Sequence, residues 1–304
     1  MCERWHPAGS PGMFPGGEDS DVLMWWQAVV LGLVEGITEY LPVSSTGHLI
    51  LTSSLLHLDR PETKDALRAY LIFVQGGAIL AVLGLYWPRI VQMTRGLLGR
   101  DADGFRLARN LGIAFVPAAV TGVLLNHTIK AMLFSDWPVL GALAVGGLWM
   151  IWLGGSGDHG HDDVAAISWQ TALGIGLFQT LALWPGVSRS MVTIAGGMLL
   201  GVHAVAAAEF SFLLGVPTLG AACVYDLVSN LRGAAETGHP SMFQQIGAAP
   251  ALLGVSVATL SAALAVRWLL SFLTRHGLAP FGWYRLALSL VIAVLIVSTG
   301  FGIG

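Results

Sequence analysis

Six long apolar runs, at about residues 69–87, 107–125, 137–153, 208–227, 246–270 and 283–300, limit what this chain can fold into. Each is close to the roughly 20 helical residues that cross a bilayer. Inside lipid, a helix satisfies every backbone N–H and C=O within its own segment. Composition agrees: 11% of the 304 residues are charged, against about 25% in soluble domains. That is too little charge to wet a globular surface. Abundant Gly and Trp fit close helix contacts and interfacial anchoring. The sequence therefore predicts an all-α polytopic membrane protein with six transmembrane helices. A net charge of -3 argues against a strongly basic nucleic-acid binder, so no nucleic-acid partner is expected. Two cysteines, Cys2 and Cys223, make no disulfide framework.

Residues 1–21 are rich in Gly, Pro and acid without periodicity, and lack the basic start and apolar run of a signal peptide. They read as a disordered leader, with residues 22–304 forming a single membrane domain.

Two further apolar regions are interrupted. Residues 22–58 carry Glu35, Glu39, Pro42 and the run Ser44-Ser45-Thr46-Gly47-His48. Residues 168–201 carry Pro185-Gly186, Ser188-Arg189-Ser190 and Thr193. Backbone freed by such breaks must be buried in protein or line a wet cavity, so both regions are expected to be re-entrant helical hairpins. A shift of 144 positions places Gly32-Leu33 on Gly176-Leu177, Glu35 on Gln179, Tyr40 on Trp184 and Val43-Ser44 on Val187-Ser188. This suggests an internal repeat, with halves at about 22–153 and 168–304. Three predicted spans lie between the hairpins, an odd number, so the second enters from the opposite face. That is an inverted-topology repeat with its site near the midplane. Arg89, Arg95, Arg100, Arg106 and Arg109 put the loop at 88–106 in the cytoplasm, with Arg60, Lys64 and Arg68 as opposing signals.

Glu35 and Glu39 are four apart and share one helix face. A charge at the bilayer centre costs about 2.5–3.5 kcal/mol, so the pair is expected to bind a divalent cation or to keep one member protonated as an acid. A solvated interfacial pair is the plainer alternative. Ser45 at a helix start would place a helical His48 one turn later, an imidazole near a hydroxyl. His48 could equally attack phosphorus itself, and Ser44, Ser45 and Thr46 could simply cap the helix. Arg189 presents a fork of donors suited to phosphate. Ser188, Ser190, Thr193 and free N–H groups at the new helix start would join it. Its plainer role is to pair with Glu35 or Glu39 and tie the hairpins together. Asp158-His159-Gly160-His161-Asp162-Asp163 reads as a solvated linker, and His57, His127, His203, His239 and His276 as ordinary polar residues near segment ends. Gln75, Glu209 and Asp226 suit interhelical hydrogen bonds.

Glu35-Gly36-Ile37-Thr38-Glu39-Tyr40-Leu41-Pro42-Val43-Ser44-Ser45-Thr46-Gly47-His48 resembles the first signature of the undecaprenyl-diphosphate phosphatase (bacitracin-resistance) family. Trp184-Pro185-Gly186-Val187-Ser188-Arg189-Ser190, with Thr193 and Gly196-Gly197, resembles the second, and Ala208-Glu209-Phe210-Ser211-Phe212-Leu213-Leu214 is also similar. The resemblance runs from about Val22 to the C-terminus. At Gln75-Gly76-Gly77 the family more often has a bulkier residue after the Gln. The resemblance implies a multi-pass enzyme of the bacterial inner membrane whose site opens to the periplasm. It would hydrolyse undecaprenyl diphosphate to undecaprenyl phosphate, with Mg²⁺ or Ca²⁺ as cofactor, for peptidoglycan synthesis and bacitracin resistance. Carried onto this chain, Glu35 and Glu39 become metal or acid–base residues, and Ser45 or His48 the nucleophile or its base. Ser44, Thr46, Ser188, Arg189, Ser190 and Thr193 surround the diphosphate, and Glu39, Ser45, His48 and Arg189 form the catalytic group. Partners are the lipid substrate and membrane lipid, with a homodimer as one oligomeric option. The rival reading is a transporter or flippase for undecaprenyl phosphate, because broken helices in inverted repeats also build transporters. A channel or structural protein would leave the clustered charges unexplained.

Overall fold

A computed structural model describes residues 22–58, 64–133, 136–154, 163–237 and 240–299, with backbone alone at 126–133, 136, 237 and 299. The leader, Arg60, His239, the side chain of His127 and most of the Asp158–Asp163 patch lie outside what is described. Every regular element among the described residues is helical.

The first half runs α1 (Trp25–Tyr40), α2 (Ser45–Leu55), α3 (Lys64–Leu85), α4 (Trp87–Leu97), α5 (Ala102–Leu133) and α6 (Asp136–Leu153). The second runs α7 (Trp169–Thr180, extended by a 3₁₀ turn at Leu181–Leu183), α8 (Arg189–Leu199), α9 (Ala204–Thr237), α10 (Met242–Ile246), α11 (Ala248–His276) and α12 (Ala279–Thr299). Five helices are long and apolar enough to cross a membrane: Lys64–Leu85, Ala102–Leu125, Ala204–Glu236, Ala248–His276 and Ala279–Ser298. The architecture is that of a multi-pass membrane protein. The apolar run at 137–153 lies in the shorter α6. Several helices extend beyond their apolar runs, as α5 and α9 do at both ends, and two boundaries change the reading. Trp87 begins the amphipathic α4 rather than ending a span, and positive-φ Gly247 separates Ile246 from α11.

The breaks have one physical cause. Leu41 precedes Pro42 and Trp184 precedes Pro185, and the proline ring clashes with a helical residue before it. Both residues are accordingly extended, at φ -73, ψ 144 and φ -81, ψ 118. After each break the chain re-enters a helix at a serine with φ 74, Ser44 in the first and Ser188 in the second. Positive φ in a non-glycine residue costs on the order of 1–3 kcal/mol. Each serine recovers part of this by capping its new helix, accepting from Gly47 N and Met191 N respectively.

The shift of 144 positions carries α1, α2, α5 and α6 onto α7, α8, α11 and α12. The packing follows: α1 lies along α11 as α7 lies along α5, while α3 meets α9 and α6 meets α12. The halves differ at α4, whose counterpart residues fall at the end of the continuous α9 and beyond it. The largest buried cluster joins the breaks to α9, through Tyr40, Val43, Met191, Val192, Phe210 and Phe212.

The α1–α11 contact is close enough to require glycine. A Cβ on Gly36 would lie 2.1 Å from Ser261 Oγ and 2.4 Å from Ala258 O. Gly36→Ala should lower the apparent stability of the detergent-solubilised protein by about 1–3 kcal/mol. Gly76→Ala, where a Cβ meets nothing within 4 Å, should leave it near wild type in the same thermal melts.

Candidate active site

Because α1 ends at Tyr40 and α2 starts five residues later, the last turn of one helix and the first of the next face a common space. Glu39 sits there, 6% exposed, and is the hub of the group. Its Oε1 accepts from Arg189 Nη2 at 3.2 Å, and its Oε2 accepts from Ser45 Oγ at 2.7 Å and Gln75 Nε2 at 3.3 Å. One carboxylate thus joins the first break, the first turn of α8 and α3. The ion pair is almost fully buried, with side-chain exposures of 8% for Arg189 and 4% for Glu39.

Arg189 is fixed from two other directions. Its Nη1 donates to Ser211 O at 2.8 Å and its guanidinium lies 5.4 Å from the Tyr40 ring centre, while its Nε–H is buried without a partner among the described residues. A cation over an aromatic face gains further electrostatic stabilisation. Gly215 leaves room for the fork, since a Cβ there would come within 3.0 Å of Nη1. Tyr40 is held in turn by its hydroxyl, which donates to Ala78 O at 3.1 Å.

Glu35, one turn before Glu39, is 1% exposed and neither of its carboxylate oxygens has a hydrogen-bond partner. Its electrostatic neighbours are Glu39 and Arg189. A buried carboxylate left so is costly unless a proton or cation satisfies it. The oxygen-only, hard donor set suits a divalent cation such as Mg²⁺ or Ca²⁺. Among the described residues no three His, Cys, Asp or Glu side chains cluster as a ready metal cage, so the remaining ligands of such an ion would be water or substrate oxygens. Gln179, the counterpart of Glu35 in the second half, is also buried, with its Nε2 unpartnered and its Oε1 3.5 Å from Thr218 Oγ1.

The remaining hydroxyls divide into two sets. Ser45 is half-buried and Thr46 exposed, so they line the accessible side, as does half-buried Ser188, with the buried Arg189 side chain behind it. Ser44 and Ser190 are buried; Ser190 donates to Leu41 O at 2.9 Å and lies 3.1 Å from Ser188 Oγ, joining one break to the other. Thr193 is fully buried, with its hydroxyl 2.6 Å from Ser211 Oγ and donating to Arg189 O. It ties α8 to α9 rather than lining the accessible side.

His48 is placed differently from its expected position over Ser45. Its Nδ1 is 2.7 Å from Ser44 O and its Nε2 is 2.6 Å from Tyr284 Oη. Both ring nitrogens are engaged, and the Ser45 hydroxyl turns to Glu39 instead. The one-turn spacing brings His48 near, but hydrogen bonding assigns the hydroxyl to the carboxylate.

The sequence reading passed over Arg285. It is fully buried on α12 and donates to Leu143 O, Val187 O, Ala142 O and Gly186 O at 2.9–3.2 Å, with no acidic partner among the described residues. Two of these carbonyls are in the second break. The signal was legible: a lone cation in an apolar run needs a partner, and the carbonyls freed by a break supply one.

A wide cleft of about 660 Å³ lies elsewhere, lined by Tyr86, Arg89, Gln92, Arg95 and Glu209 among others. Of its charges, Arg89 pairs with Glu209 at 3.0 Å and also reaches Asp163 at 3.5 Å. The cleft's unpartnered buried atom is the Tyr86 hydroxyl, whereas the group around Glu39 leaves atoms of two charged side chains, Glu35 and Arg189, without partners and is the stronger chemical site.

Removing one member of a buried ion pair costs about 3–5 kcal/mol, because the other charge is stranded. Glu39→Ala should therefore destabilise more than Ser45→Ala, which loses about 1–2 kcal/mol. Glu39→Ala combined with Arg189→Ala should cost clearly less than the sum of the two, in a thermal-denaturation double-mutant cycle. Strict additivity would remove the pair.

The model of the family described as bacitracin resistance protein BacA matches residues 28–291. An undecaprenyl-diphosphatase of Sorangium cellulosum is 46% identical over 274 residues, covering 89% of this chain and 86% of that protein. The undecaprenyl-diphosphatase 2 of Rhodospirillum rubrum is 44% identical, covering 90% and 95%. The undecaprenyl-diphosphatase of Deinococcus radiodurans is 43% identical, again covering 90% and 95%.

Proposed function

Because the chain belongs to the bacitracin resistance protein BacA family, we propose that it hydrolyses undecaprenyl diphosphate to undecaprenyl phosphate and inorganic phosphate. The reaction recycles a lipid carrier for peptidoglycan synthesis and so confers bacitracin resistance. The observation that carries the reading to particular residues is the Glu39 hub, which joins Ser45 of one break to Arg189 of the other.

The four helices beside the breaks have 16, 11, 12 and 11 residues. At about 1.5 Å per residue none crosses a hydrocarbon core of about 30 Å. We read α1–α2 and α7–α8 as re-entrant hairpins, with α3, α5, α6, α9, α11 and α12 as six transmembrane helices. Three of those spans separate the hairpins, so the repeat is inverted. The protein lies in the bacterial inner membrane, with the diphosphate reaching the site from the periplasm and the polyprenyl tail remaining in lipid.

Arg189, with an unpartnered Nε–H, and the free N–H groups at the starts of α2 and α8 bind the phosphate oxygens and stabilise charge on the transferring group. The Ser45 hydroxyl already donates to Glu39, so Glu39 is placed to take its proton as Ser45 Oγ attacks the terminal phosphorus. The bond from that phosphorus to the bridging oxygen breaks and undecaprenyl phosphate leaves. Water then attacks the phosphoserine with His48 accepting its proton, the bond from phosphorus to Ser45 Oγ breaks as Glu39 returns its proton to that oxygen, and inorganic phosphate is released. A divalent cation, Mg²⁺ or Ca²⁺, held by Glu35 together with Glu39, would supply neutralisation of phosphate charge.

Purified protein should release phosphate from undecaprenyl diphosphate in detergent. Arg189→Lys and Ser45→Ala should each lower kcat by at least about 100-fold in a correctly folded protein. A chelator should abolish turnover, and added Mg²⁺ or Ca²⁺ should restore it. If the wild-type protein releases no phosphate but moves undecaprenyl phosphate across proteoliposomes, the transporter reading replaces this one.

A further inference from the structure

The His48 imidazole is locked at both nitrogens, and the two contacts are chemically unequal. Ser44 O can only accept, so at 2.7 Å the His48 Nδ1 carries the hydrogen. In the neutral ring the lone pair is then on Nε2, and the 2.6 Å contact there is a hydrogen bond donated by the Tyr284 hydroxyl. The two rings are nearly parallel, at 3° with centroids 5.6 Å apart. Tyr284 is on α12, directly before Arg285, whose guanidinium donates to Gly186 O and Val187 O in the other break. Adjacent residues of one helix therefore hold the first hairpin by its imidazole and the second by its freed carbonyls.

We propose that Tyr284 is a positioning residue of the phosphatase reaction, acting through His48. Its hydroxyl caps the lone pair that the Ser44 O contact leaves on Nε2, holds the ring plane and covers that nitrogen until substrate and water take its place. Tyr284 is 46% exposed, so water can replace its hydroxyl without opening the core. An imidazole acting as a base must present a defined nitrogen in a defined direction, and nothing else among the described residues bonds to Nε2. This inference rests on the role of His48 given above.

The test uses the full-length protein and its Tyr284→Phe variant, which keeps the ring and deletes the hydroxyl. Diethyl pyrocarbonate acylates the free lone pair of a neutral imidazole, and tandem mass spectrometry reads the rate residue by residue. Exposed His57 serves as the internal reference, and an unchanged His57 rate reports an intact fold. With the lone pair uncovered, His48 in Tyr284→Phe should be acylated about five- to tenfold faster relative to His57, while kcat falls about tenfold with KM within twofold. Reduced turnover with unchanged His48 acylation would show a merely structural contact and overturn the proposal. Faster acylation with unchanged kcat would also overturn it, by removing His48 from the reaction. A wild-type protein without phosphatase activity would sink the functional reading instead, and the acylation comparison would still report whether Tyr284 covers Nε2.

Discussion

The site depends on one buried ion pair. Glu39 and Arg189 are 150 residues apart in sequence and 3.2 Å apart in space, each nearly sealed from solvent. A buried charge is tolerated only when it is paired and hydrogen-bonded, and the surroundings meet that demand. Ser45 and Gln75 donate to the carboxylate, Ser211 O accepts from the guanidinium, and Tyr40 lies beneath it. These partners come from α1, α2, α3, α8 and α9, so the electrostatic need of two side chains draws five helices together. What stays unsatisfied is equally informative. The Glu35 oxygens and the Arg189 Nε–H are a carboxylate and a donor with unused bonding capacity beside a hydroxyl, and the proposed metal-assisted phosphate site rests on them.

The breaks that carry these residues are consequences of proline chemistry, and they are costly in an apolar medium. Each frees carbonyls and N–H groups and forces a serine to positive φ. The costs are met by specific contacts rather than by water alone. Ser190 donates to Leu41 O across the two breaks, and Arg285 saturates Gly186 O and Val187 O. Among the described residues Arg285 has no acidic partner because carbonyls do that work, so a cation that looks unsupported in the sequence makes four hydrogen bonds in the fold.

Much of this was legible in the sequence, and the limits have physical reasons. Proline after Leu41 and Trp184 announced the breaks, and apolar length announced the spans. The likeness of the two broken segments at a shift of 144, confined to scattered residues such as Gly32-Leu33 and Val43-Ser44, extends to the helix boundaries themselves. Glu35, Glu39, Ser45 and Arg189 stood out because polar groups are expensive in apolar segments. The partner of His48 did not. Helical spacing tells which residues share a face, and it correctly put His48 one turn from the start of α2. It cannot tell that Tyr284, 236 positions away, reaches Nε2, nor that Ser45 turns to Glu39. Thr193 failed for a similar reason: its spacing from Arg189 is right for a shared face, but that face packs on Ser211. The separate α4 was hidden because Trp87-Pro88 follows α3 without a polar break, and only proline's preference for a helix start marked it.

The most direct test asks whether the two breaks meet in a native membrane. Leu41→Cys and Ser190→Cys, in a chain with Cys2→Ser and Cys223→Ala, place one thiol in each break where Ser190 Oγ lies 2.9 Å from Leu41 O. A short bifunctional thiol reagent applied to intact membranes should bridge the pair within one chain, detected as an undigested link between the two proteolytic halves. If Phe73→Cys and Phe243→Cys, whose native rings meet 5.3 Å apart between α3 and α10, are bridged but the pair at 41 and 190 is not, the breaks do not meet and no shared site exists.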